Sequence, residues 1–144
     1  MDLRDQEGGR GSEGPQPGVP AGGDDPIEAA TALWVQGDKA AAVDMLKTAL
    51  AALQVSGGPK RQFRNLYRKT LYSLCELERW PEARDLSLAA IERFPAIAMG
   101  YRFLGEALFR LGDLDSAKAA FEAALERDPT EGTARMALAL LRRG

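Results

Sequence analysis

The chain has 144 residues, 45% of them hydrophobic and 28% charged, with a net charge of −2, no histidine and one cysteine, Cys75. That is the length of one domain, or of one domain with a tail. A lone cysteine makes no internal disulfide, the absence of histidine removes zinc coordination and imidazole acid–base chemistry, and the slightly acidic balance argues against general nucleic-acid binding.

Residues 1–24 are crowded with glycine, proline and acidic side chains and hold almost nothing to bury. Such a segment cannot offset its ordering entropy, so a disordered acidic tail is expected. Within it Gly9–Gly14 fits G-x-G-x-x-G, but no strand precedes it and Pro15 follows, so it reads as low complexity rather than a dinucleotide turn. The N-terminus has no apolar stretch for a secretory signal, and no run approaches the ~18 apolar residues of a membrane span. A cytoplasmic setting without membrane partners is therefore expected.

From Pro26 onward, alanine, leucine and aromatic residues alternate with charges at helical spacing, and a domain over 25–144 is expected. The segment Gln36–Leu50 aligns without a gap on Leu111–Leu125, pairing Gly37 with Gly112, Ala42 with Ala117 and Ala49 with Ala124. Stepping back 34 residues from Tyr101, Leu108, Ala117, Ala124 and Pro129 reaches Tyr67, Leu74, Ala83, Ala90 and Pro95, while Thr70, Leu71 and Ser87 depart from the pattern. The chain thus reads as three related units, about 23–56, 64–97 and 98–131, with an insertion around Gly57–Phe63.

Each unit is predicted to be an antiparallel helix pair. Gly105 falls inside the first helix of the third unit, where glycine costs about 1 kcal/mol relative to alanine. A close approach of the partner helix at Ala117 or Ala124 is the expected reason. Gly112-Asp113 is predicted to end one helix in a left-handed cap and to N-cap the next. Pro81, Pro95 and Pro129 suit first helical turns, where no amide donor is lost. A closing helix over about 130–143 should turn Ala134, Ala137, Leu138 and Leu141 inward and Arg135, Arg142 and Arg143 to water.

Catalytic patterns are missing. No G-x-S-x-G, Walker A or H-E-x-x-H sequence occurs, and the calcium-loop-like start at Asp113 and Asp115 fails at Lys118 and Ala124. Cys75 sits mid-helix among apolar neighbours with no histidine to activate it, as an inert packing residue would. Trp34 and Trp80 lie near helix ends, as repeat-boundary packing would place them. No enzyme activity, metal or cofactor is expected. Arg61, Arg64, Arg68 and Tyr72 recur at three- and four-residue steps and share one helix face, with Lys60, Lys69 and Arg79 nearby.

The third unit carries an aromatic (Tyr101), Leu104-Gly105, Leu108, the Gly112-Asp113 turn, Ala117, Phe121, Ala124 and Pro129. In these residues the chain resembles the tetratricopeptide repeat (TPR) family, from about Asp25 to its end. The resemblance implies an all-α, right-handed α-solenoid of three helix pairs plus a C-terminal capping helix. It also implies a concave groove lined by the first helix of each pair. Carried over position by position, the second unit would present Asn65, Arg68, Tyr72 and Cys75 there, and the third Met99, Arg102, Glu106 and Phe109. The first unit would add Ile27, Thr31 and Trp34. The implied function is a non-catalytic, adaptor- or co-chaperone-like module binding a protein or peptide segment. An acidic segment with apolar anchors would suit arginines mixed with aromatics. The alternative is a scaffold subunit that self-associates as a homo-oligomer or docks into a larger assembly through its helical ends. A Lys/Asn clamp for a terminal carboxylate is not expected, because Tyr72 and Glu106 occupy the positions of its asparagine.

Overall fold

Seven α-helices and no strand make up the described residues, 25–143, of the computed structural model: α1 Pro26–Val35, α2 Lys39–Ser56, α3 Lys60–Glu76, α4 Trp80–Arg93, α5 Ala98–Arg110, α6 Leu114–Arg127 and α7 Gly132–Arg143. The expected tail over 1–24, with its glycine motif, lies outside the described residues. The chain divides into two compact units, one ending at Ser56 and the other beginning at Gly57.

In the first unit α1 pairs with α2. The Asp25 carboxylate accepts the Ile27 N–H at 3.0 Å, and Pro26 opens the helix where its missing donor costs nothing. Ala30, Ala42, Val43, Leu46, Leu50 and Leu53 are buried.

The insertion expected around Gly57–Phe63 is not a loop. Helix α2 has 18 residues against 14 in α4 and α6, and α3 has 17 against 13 in α5. The extra residues add a helical turn to each helix, leaving Gly57 to Pro59 as connection. Helix hydrogen bonds satisfy backbone groups that a loop would leave to water.

In the second unit each helix packs on the next, and α5 also touches α3 and α7. The unit therefore has two layers: α3, α5 and α7 in one, α4 and α6 in the other. Three turns share one hydrogen-bond pattern. Asp113 N–H reaches Leu108 carbonyl at 2.9 Å, as Asp38 reaches Leu33 and Arg79 reaches Leu74. This closure needs a left-handed residue. Gly37 (φ +93°) and Gly112 (φ +91°) supply it, but the middle turn uses Glu78 at φ +58°. An L side chain in that region costs about 1–2 kcal/mol. Glu78→Gly is thus expected to stabilise the fold, by up to about 1 kcal/mol after the ~0.4–1 kcal/mol of extra unfolded-chain entropy. A thermal melt checks this; a lowered midpoint would contradict the strain.

Three expectations need correction. Pro81 does stand in a first helical turn, but Pro95 and Pro129 lie in the turns before α5 and α7. A residue preceding proline is pushed out of helical geometry, and Phe94 (ψ 66°) and Asp128 (ψ 95°) are accordingly extended. Pro95 is still an anchor, its carbonyl accepting Tyr101 Oη at 3.0 Å and Arg127 Nε at 2.7 Å. The third correction is Gly105. A Cβ there would meet neither Ala117 nor Ala124 but the Phe121 ring, at 2.7 Å from Cδ1 and Cε1. The gap admits an aromatic ring, not a helix backbone. The close backbone approach falls instead at Gly100, where a Cβ would stand 3.1 Å from Ile91 N and 3.3 Å from Ser87 O of α4.

The capping helix is as expected on its inward side. Ala134 and Leu138 are buried with Ala98, Ala117, Phe121 and Ala124, and Ala137 and Leu141 pack against them. Arg135, Arg142 and Arg143 are exposed.

Candidate functional site

Helices α3, α5 and α7 carry the residues that matter. Arg68 is exposed on α3 and donates from Nη1 to Asn65 Oδ1, one turn earlier, at 3.3 Å. Arg68, Met99 and Arg102 line one depression of about 560 Å³, with Arg127, Asp128 and Glu131 on its rim. Its charges are unequal in availability. Arg102 Nε lies 3.8 Å from Glu131 Oε1 and its guanidinium covers the Phe103 ring at 4.3 Å. Glu131 Oε2 meanwhile accepts the Ala134 N–H at 2.9 Å, capping α7. Arg127 is turned into structure, donating to the Pro95 and Ala123 carbonyls and stacking on Tyr101 at 4.0 Å. Arg68 alone of the three has no carboxylate or backbone carbonyl partner among the described residues.

The row of arginines on α3 is likewise less uniform than its spacing suggests. Arg61 and Arg68 are exposed, whereas Arg64 is half-buried with its Nε unpartnered. Tyr72 is 49% exposed, and the Lys69 ammonium sits 5.9 Å from its ring. Cys75 is half-buried. Burial, then the negative charge of Glu106, push its thiol up to about 12 against the opposing pull of Arg102, so at neutral pH it is protonated and not a nucleophile.

Glu106 and Phe109 line a second depression, of about 530 Å³, between α5 and α7. Phe121 forms part of its lining, and Met136 and Leu140 of α7 contribute side chains that are 68% and 59% exposed. Sequence reasoning treated α7 only as a cap and missed these two. The signal was present: 34 residues beyond Arg102 and Glu106 stand Met136 and Leu140. Of the seven candidates, three therefore share the first depression, two share the second, Asn65 adjoins Arg68, and Tyr72 lines neither.

The first-unit candidates lie along α1. Thr31 Oγ1 donates to the Ile27 carbonyl at 2.8 Å, and the Lys39 ammonium stands 5.3 Å from the Trp34 ring. Among the described residues no three histidine, cysteine or carboxylate side chains are grouped to hold a metal, and no helix is long and apolar enough to cross a membrane.

The sequence profile described as "Tetratricopeptide repeat" matches residues 71–131 and 104–143. No curated protein matches the sequence. Three solved structures are similar in fold. The first TPR of Spaghetti (RPAP3), bound to the HSP90 peptide SRMEEVD, is 20% identical with a TM-score of 0.68, covering 82% of this chain and 88% of that one. The second TPR domain of human RPAP3, in complex with the HSP70 peptide SGPTIEEVD, is 18% identical with a TM-score of 0.65, covering 81% and 92%. The Sgt2 TPR domain from Aspergillus fumigatus is 18% identical with a TM-score of 0.68, covering 90% and 83%.

Proposed function

Because this chain belongs to the tetratricopeptide repeat family, we propose that it is a non-catalytic interaction module that holds a peptide segment of another protein along the α3, α5 and α7 layer. The observation that carries this reading is Arg68, an exposed guanidinium without a carboxylate partner beside the Met99–Arg102 depression. A guanidinium pairs with carboxylates through directed, charge-assisted hydrogen bonds. The peptides in the two RPAP3 complexes, SRMEEVD and SGPTIEEVD, are acidic, which supports the same ligand charge here. Glu106 faces the neighbouring depression and would repel a chain-terminal carboxylate. An internal acidic segment therefore suits the face better than a free C-terminus.

The test is fluorescence anisotropy of a labelled, end-capped acidic peptide titrated with the full chain. Arg68→Glu is expected to weaken binding about ten-fold, equivalent to ~1.4 kcal/mol, and high salt should weaken the wild type toward the variant. Equal affinity of wild type and variant would remove Arg68 from the reading.

A further inference from the structure

We infer that the depression between α5 and α7 is an apolar subsite for the same ligand, so that the partner is an acidic segment bearing two bulky apolar side chains about one helical turn apart. The inference rests on the peptide-binding reading and deepens it. Phe109 on α5 and Met136 and Leu140 on α7 leave about half or more of their surface uncovered around a single depression of about 530 Å³. That volume lies within the ~300–1,000 Å³ range of ligand clefts. Met136 and Leu140 are one turn apart on α7, so they offer two adjacent contacts rather than one.

Charge around the depression selects what may accompany the apolar groups. Arg110 stands on its rim, and Arg142 and Arg143 are exposed at the end of α7, against the single carboxylate of Glu106 in the lining. Arg68 adds the unpaired cation of the other depression. An acidic flank on the ligand is attracted from both ends, while a basic flank is repelled. Met136 and Leu140 occupy the register positions held by Arg102 and Glu106 one repeat earlier, so the subsite continues the face that carries Arg68. Apolar anchors seated in such a pocket dominate binding, and surrounding charges set partner choice.

Two methionine methyls report on the two depressions separately, Met99 in the Arg68 depression and Met136 in the apolar one. The experiment is a methyl-carbon NMR titration of the full chain with two end-capped peptides of glutamate and serine. One carries a leucine and a phenylalanine a helical turn apart; its twin carries serine at both places. The first peptide is expected to move the Met136 methyl and to bind about ten-fold tighter than its twin. Met136→Gln/Leu140→Gln should abolish that preference and leave the melting midpoint in place, because both side chains are mostly exposed. If both peptides bind alike and move only Met99, the apolar subsite falls and the peptide reading stands. If only Met136 moves and Arg68→Glu changes nothing, the subsite stands and the role of Arg68 falls. If neither methyl moves, both fall. A Met136 shift that follows protein concentration alone would mean that a second copy occupies the depression, which overturns the proposal.

Discussion

Gly105→Leu is expected to destabilise the fold by about 1–3 kcal/mol through overpacking. A Cβ at 105 stands 2.7 Å from two Phe121 ring atoms and 2.8 Å from a third. The ring is 2% exposed and shares its cluster with Ala117, Ala124, Ala134 and Leu138, so it has no free space to enter. Phe121→Ala alone should cost about 3–5 kcal/mol, by leaving a cavity. The second helix pair shows how both changes can be reconciled. One repeat earlier the same two positions hold Leu71 and Ser87, both fully buried. Large and small have exchanged helices. Combining Gly105→Leu with Phe121→Ala should therefore cost less than the sum of the two by about 1–3 kcal/mol of coupling. Alanine is chosen over serine because the buried Ser87 hydroxyl has no hydrogen-bond partner. Urea melts of the four proteins give the coupling directly; strict additivity would mean that residues 105 and 121 do not share one space.

Gly100→Ala carries the second large effect, and its sign separates two mechanisms. Helix propensity alone would make alanine better than glycine by about 1 kcal/mol. The added Cβ, however, would meet Ile91 Cγ1 at 2.7 Å, Ile91 N at 3.1 Å and Ser87 O at 3.3 Å. A side chain can rotate away, but two of these three atoms are α4 backbone and can yield only if the helices part. A net loss of about 1–3 kcal/mol is expected. Gly132 is the control, since nothing lies within 4 Å of a Cβ built there. The expectation fails if Gly100→Ala melts at or above the wild type while Gly132→Ala does the same.

The sequence by itself determined the features that depend on neighbours along the chain. The left-handed turns at Gly37 and Gly112 and the Asp113 cap, which accepts the Ser116 N–H at 3.3 Å, were legible because turn and cap chemistry is local. The buried alanines 83, 90, 117 and 124 and the inward side of α7 were legible because helical period fixes which residues share a face. Tertiary structure alone decided what each face meets. It put a Phe121 ring, not a backbone, beside Gly105, and moved the close crossing to Gly100. The candidate site divides in the same way. Register placed Arg68, Arg102, Glu106 and Phe109 on the first helices of their pairs. Only folding turned Arg102 toward Glu131, left Arg68 without a carboxylate, and brought Met136 and Leu140 of α7 beside Phe109. Periodicity gives the direction of a side chain from its own helix axis. Which partner it finds depends on the offset and rotation of a second helix, and these come from the packing of all the side chains between the two.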